Sequence, residues 1–245
     1  MEEGESMRYK LYFNLENEHF PLDYRRSIIS FIKLSLSEYN KEYFDKYYKN
    51  NDNIIKPYTF AVFFYGAKFE KNEICIKERK FELNISIADY ETALILYNSF
   101  NHQKNKKFSL NNNSFTLNSI SVIPEKVISS ENVNIKFLSP LVVRNRNRET
   151  KKDYYVSYSH EKFLDTLKTN IKVQLEEFKK LNLNLQDFDL VPIKPQKTVV
   201  KFYEKQIECS FGEYELKADR RVIEFLYKCG MGSKHSAGFG MFKIL

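Results

Sequence analysis

The order strand, helix, strand, strand, helix, strand can be read twice along the chain. It predicts an α+β protein of two tandem ferredoxin-like (RNA-recognition-motif-like) β-α-β-β-α-β domains. Three observations carry that expectation. Runs rich in Tyr, Phe, Val and Ile mark extended segments, apolar residues recur at helical spacing between them, and polar turns separate the two. The domains are expected at 7-128 and 129-245, joined near Ser129-Ser130-Glu131-Asn132. With 245 residues, 42% of them hydrophobic, the chain can fill real cores.

In the first half, Tyr9-Lys10-Leu11-Tyr12-Phe13-Asn14-Leu15 roughly alternates and is rich in β-formers, so a strand is expected. Pro21 then opens a helix to which Ile28, Ile29, Phe31, Ile32, Leu34 and Leu36 give one broad apolar face. A polar, tyrosine-rich connection leads to a near-continuous apolar strand, Tyr58 to Tyr65. Gly66 turns the chain, and Ile74 to Leu83 returns as a hairpin partner. Ala88 to Phe100 reads as a second helix through Ala93, Leu94, Leu96 and Tyr97, and Ser114 to Ile123 closes the half as a strand.

The second half repeats the rhythm less cleanly. Val133 to Val143 is a strand broken at Pro140, and Tyr154 to Tyr158 is a short extended piece after a basic loop. His160 to Leu181 is a helix with Phe163, Leu167, Ile171, Leu175 and Phe178 in its stripe. Leu190 to Phe202 and Ile207 to Leu216 form strands. Asp219 caps a helix running to Lys228, Gly230 ends it, and Met241 to Leu245 is the closing strand.

A net charge of +7 suits a polyanionic partner, because basic surfaces attract phosphate backbones and release counterions. A soluble basic protein without such a partner is the plain alternative. The 17 tyrosines exceed what burial needs, and stacking on bases is one use for the surplus. Cys75, Cys209 and Cys229 are far apart and odd in number, without C-x-x-C or Cys/His ligand spacing. Neither a disulfide framework nor a metal site is supported, no cofactor is expected, and a reducing cytoplasm fits. No apolar run approaches the ~18 residues a membrane span needs, and the acidic first six residues lack a signal peptide's apolar region.

Four of the seven glycines fall at Gly230, Gly232, Gly238 and Gly240, as two Gly-hydrophobic-Gly triplets around Lys234 and His235. The P-loop spacing fails, because Phe239 follows Gly238 where a lysine is required. The dinucleotide fingerprint fails because His235 occupies its third glycine position. Gly238-Phe239-Gly240-Met241-Phe242 partly matches an RNA-recognition motif, but that motif lies on a third strand and this is a last one.

A Gly-hydrophobic-Gly-x5-Gly-hydrophobic-Gly pattern before a terminal strand resembles the CRISPR-associated endoribonucleases of the RAMP superfamily, which cut precursor CRISPR RNA within each repeat. The loop matches in spacing and position; elsewhere the likeness is one of length, charge and doubled rhythm. The resemblance implies a cytoplasmic, metal-independent nuclease in which an RNA 2′-hydroxyl attacks the adjacent phosphate, leaving a cyclic phosphate and a 5′-hydroxyl. It also implies that the glycine loop meets the RNA backbone through Lys234, His235 and its own N–H groups.

Such chemistry needs a base, an acid and a cation for the phosphorane charge. In relatives a histidine often follows the first helix, with a tyrosine and a lysine nearby. The matching segment, Lys41 to Lys49, has no histidine; Tyr47 falls at the tyrosine position and Lys56 at the lysine position. Three readings stay open. Tyr47 and Lys56 act by positioning and charge, or His235 supplies the imidazole, or the chain binds repeat RNA without cutting, as a subunit of a CRISPR effector complex. His19, His102 and His160 are expected to be structural.

Arg144, Arg146 and Arg148 stand two apart in a predicted loop, followed by Lys151, Lys152 and the pair Tyr154-Tyr155. Guanidinium forks on one side of an extended segment bind phosphates, and flanking tyrosines stack on unpaired bases. A solvated charge run is the alternative. Lys197 and Lys201 share one face of a predicted strand; Lys194 has the opposite parity, and Pro195 between them leaves its direction open.

Overall fold

In a computed structural model, residues 7–49, 54–146, 152–178, 183–203 and 205–245 are described. Contacts divide them into two units: the first reaches Lys56 and resumes over Ala61–Glu125, and the second joins Pro57–Phe60 to Lys126–Leu245.

The first unit contains β1 (Met7–Leu15), β2 (His19–Pro21), α1 (Tyr24–Tyr39), α2 (Lys41–Tyr48), most of β3 (Tyr58–Phe64), β4 (Ala67–Phe69), β5 (Glu73–Ile76), β6 (Lys80–Ile87), α3 (Tyr90–His102), β7 (Lys107–Ser109) and β8 (Ser114–Ile123). Its main sheet has the order β3-β6-β1-β8-β7. Without β7 this is the ferredoxin-like order, with the first strand central between the third and fourth of the motif. The alternation in β1 decides which side chains face the helices: Tyr9, Leu11, Phe13 and Leu15 are buried. Phe13 stacks on Phe81 at 4.6 Å and meets Phe31 of α1 edge-on at 5.3 Å, while Phe31 stacks on Phe100 of α3 at 5.9 Å. Each fully buried ring of this kind contributes about 1.5–3 kcal/mol of transfer free energy.

Two expectations need correction here. Pro21 ends β2, and α1 starts only at Tyr24. The return expected over Ile74 to Leu83 is two strands: β5 pairs with β2 and β4 in a separate three-stranded sheet, and β6 pairs with β1. Arg79, at φ +52°, makes the turn between them.

The second unit contains β9 (Asn132–Phe137), β10 (Val143–Arg146), β11 (Asp153–Val156), α4 (Phe163–Glu177), β12 (Asp189–Phe202), β13 (Lys205–Lys217), α5 (Arg220–Cys229) and β14 (Phe242–Ile244). Its sheet order, β12-β13-β9-β14, again places the first strand of the motif between the third and fourth. β10 and β11 form a separate hairpin, which is why the chain breaks at Pro140. Phe137 packs edge-on against Tyr214 and Phe242 at 5.6 and 6.0 Å. Phe178 and Phe225 join α4 to α5 at 5.6 Å. Asp219 caps α5 by accepting from the Arg221 N–H at 2.8 Å, and hydrogen bonding to Arg221 holds its carboxyl at about 2.

Candidate nucleic-acid interface

The glycine-rich segment leaves α5 at Gly230, whose N–H donates to the Leu226 carbonyl at 2.8 Å. Gly230, Gly232, Gly238 and Gly240 are all buried at positive φ. Their close approach is to other parts of this chain. A Cβ on Gly240 would overlap the Met231 carbonyl oxygen, and one on Gly238 would enter the Phe60 ring. The N–H groups of Met231, Ser233, Gly238 and Gly240 donate at 2.8–3.0 Å to the carbonyls of Gly240, Val142, His235 and Pro140. Those amides are engaged in the fold.

His235 is only 4% exposed, and its Nδ1 lies 3.0 Å from the Tyr58 carbonyl oxygen. That oxygen accepts, so Nδ1 carries the proton. The ring fastens the loop to Tyr58. Lys234, at φ +59°, sends its ammonium to 5.5 Å from the Phe202 ring. Burial pushes its pKa below the usual lysine value, and the charge of Arg144 adds to the shift.

Asn170 of α4 ties this loop to β10. Its side-chain oxygen accepts from the Arg144 N–H at 2.9 Å and from the Ser233 hydroxyl at 2.7 Å, while its amide donates to the Arg144 carbonyl at 2.8 Å. Arg144 and Arg146 stand opposite Tyr155 and Asp153 in the β10–β11 ladder, so both project from one face. Tyr155 is the tyrosine on that face, and burial raises its pKa; Tyr154, 55% exposed, faces the other way. Lys152 is exposed immediately before β11. Arg148 and Lys151 lie outside the described residues.

On β12, Lys197 pairs with Ser210 and Lys201 with Gln206, so both project from one face, and Lys194, opposite Glu213, projects from the other. The strand does not break at Pro195, which pairs with Gly212; the irregularity falls between Pro192 and Lys194. A bulge tolerates what a proline in a central strand would not, and β12 is an edge strand. Lys197 meets Glu208 at 2.8 Å and Lys194 meets Glu213 at 3.9 Å. Hydrogen bonds from Lys197 and then Ser157 hold the Glu208 carboxyl below the usual range.

In the first unit, Asn40 caps α2 by accepting from the Tyr43 N–H at 3.0 Å. Helical spacing then sorts four rings into two pairs. Tyr43 and Tyr47 meet at 5.3 Å, and their hydroxyls lie 3.2 and 3.3 Å from Thr92 Oγ1. Tyr47 is buried, and that burial raises its pKa. Phe44 and Tyr48 form the other pair at 5.5 Å. The Lys56 ammonium lies 4.7 Å from the Tyr48 ring and the Lys33 ammonium 4.9 Å from it. The structure therefore sets Lys56 beside Tyr48.

The histidines outside the loop have local partners. His19 pairs with Glu73 at 2.9 Å, His102 lies 2.9 Å from the Lys106 ammonium, and His160 accepts from the Lys162 N–H at 3.1 Å. Among the described residues no three His, Cys, Asp or Glu side chains gather as a metal site would require. None of the described helices is long and apolar enough to cross a membrane.

Residues 123–244 match the family model of the C-terminal region of the CRISPR-associated protein Cas6. The chain belongs to the Cas6 family. Over 111 residues it is 30% identical to the CRISPR-associated endoribonuclease Cas6 1 of Methanocaldococcus jannaschii, covering 44% of this chain and 43% of that one. Over 151 residues it is 32% identical to the putative CRISPR-associated endoribonuclease-like protein Cas6 of Pyrococcus furiosus, covering 58% and 60%. The chain thus spans about half the length of the curated Cas6 relatives it matches. Two solved structures share the fold at 21% identity, covering 98% of this chain and 99% of theirs. One is described as a RAMP protein binding different RNA substrates, at a TM-score of 0.85; the other comes from a Cas6-related gene of P. furiosus, at 0.86.

Sequence reasoning missed Tyr48, Lys33, Asp153 and Lys205. Helical spacing from Phe44 would have found Tyr48, and the hairpin register separates Tyr155 from Tyr154. No sequence signal brings Lys33 or Lys205 to its neighbours, because both arrive through tertiary packing.

Proposed function

We infer that this chain binds CRISPR repeat RNA and cleaves precursor CRISPR RNA without a metal ion. The 2′-hydroxyl oxygen attacks the adjacent phosphorus and loses its proton, the P–O5′ bond breaks, and the leaving 5′-oxygen gains a proton. The products are a 2′,3′-cyclic phosphate and a 5′-hydroxyl. The observation that carries this reading is the pair of ammonium groups, Lys33 and Lys56, 4.9 and 4.7 Å from the Tyr48 ring in a member of the Cas6 family. Two cations at one spot stabilise the charge that builds on a phosphorane. The relatives named as endoribonucleases support the same reading. Arg144, Arg146, Lys152, Lys197, Lys201 and Lys234 supply basic groups for the RNA backbone, and Arg148, Lys151 and Lys194 complete the proposed set.

A second reading, RNA binding without cleavage as a subunit of a CRISPR effector complex, is favoured by one observation. Tyr47 and His235, two acid-base candidates, are both buried and hydrogen-bonded within the protein. Labelled repeat RNA incubated with EDTA and run on denaturing and native gels separates the readings. A single cut is expected for the first. Retarded but intact RNA selects the second, and no retardation at low salt removes both.

A further inference from the structure

The Lys234 ammonium sits in an electrostatic pocket of the second unit made by neighbours from three strands. Arg144 of β10 and Lys205 of β13 repel it, and Asp153 of β11 attracts it. Phe202 supplies an aromatic wall 5.5 Å away. Asp153 is the one carboxylate among these charges, and it is poorly held. Its Oδ2 lies 3.8 Å from Arg144 Nη1, beyond a hydrogen bond, and its Oδ1 is buried without a hydrogen-bond partner among the described residues. Leaving a buried acceptor unpaired is unfavourable, and a half-buried cluster of cations favours an anion that satisfies more of its donors. A phosphate offers more acceptor oxygens than this carboxylate uses.

We propose that Asp153 is an internal stand-in for an RNA phosphate. In the free protein its carboxylate neutralises Arg144 and Lys234; in the complex a backbone phosphate is held by Arg144, Lys205 and Lys234 at the same place. The proposal rests on the RNA-binding reading above and adds selectivity to it, because an entering anion must outcompete the resident carboxylate.

The test compares the full-length wild-type chain with Asp153→Asn, Lys234→Ala and the double variant, each checked by thermal melting. Two probes are used: labelled repeat RNA at several salt concentrations, and inorganic triphosphate. Asp153→Asn is expected to bind RNA about three- to tenfold more tightly at low salt. Its log–log salt dependence is expected to steepen by about 0.7, as for one added phosphate contact on a single strand. Triphosphate should also bind more tightly, and Lys234→Ala should remove both gains. Unchanged triphosphate affinity in a folded Asp153→Asn variant overturns the proposal. Failure of both Asp153→Asn and Asp153→Ser to fold makes Asp153 a structural counter-ion and also overturns it. A gain with triphosphate, where no variant binds RNA, removes the RNA reading and leaves an anion subsite.

Discussion

The Lys56 and Lys33 ammonium groups lie near the Tyr48 ring, whereas the Tyr47 hydroxyl faces Thr92, so single substitutions separate chemistry from packing. Lys56→Ala is expected to lower the single-turnover cleavage rate by about 10²- to 10³-fold, the loss typical of removing one donor to a developing negative charge. Affinity measured by native gels should change far less. Tyr47→Phe should leave the rate unaltered and cost about 1 kcal/mol of stability in denaturant melts. An equal loss of rate in both variants would return the chemistry to Tyr47. Gly238 gives a third test. At φ +84° and against the Phe60 ring, Gly238→Ala should destabilise the protein by about 1–3 kcal/mol, read as a lowered melting temperature.

At the scale of elements, periodicity alone makes most strands and helices legible in the amino-acid sequence. β1 and β8 alternate, and α5 shows both its Asp219 cap and its Gly230 stop. What stays hidden is set by partners distant in sequence. Whether Ile74 to Leu83 is one strand or two depends on β2 and β1 competing for its halves. The exit of β12 past Pro195 depends on a bulge that no local rule reveals. The proposed interface is legible to the same degree. Arg144 and Arg146 on one face follow from a spacing of two, but the choice of Tyr48 over Tyr47 follows from Thr92, 45 residues further on. The β12–β13 hairpin also makes a pH prediction. Hydrogen bonds from Lys197 and Ser157 hold Glu208 below the usual carboxylate range. Its stabilising contribution is therefore full above the unfolded carboxylate pKa of about 4.3 and is lost as pH falls through the lower folded value. Wild type should exceed Glu208→Gln in melting temperature at neutral pH, with the gap closing on acidification; a pH-independent gap would exclude the ion pair as its cause.

Across the whole molecule, a net charge of +7 makes electrostatics the main handle on the proposed RNA binding. Replacing Arg144 and Arg146 together should weaken binding and flatten the log–log salt dependence by roughly 0.7 per lost single-strand phosphate contact. An unchanged slope would mark these side chains as solvated rather than RNA-bound.

The short stretch Pro57–Phe60 belongs with the C-terminal unit although it lies far upstream in the chain. Its Thr59 hydroxyl donates to the Phe239 carbonyl at 2.9 Å, and its Tyr58 carbonyl receives His235. Cutting the protein at the apparent boundary would therefore strip the glycine loop of its floor. A fragment starting at Lys126 should fold poorly alone and recover when a peptide spanning Pro57–Phe60 is added in trans. The two halves written in tandem are thus not separable by a single scission.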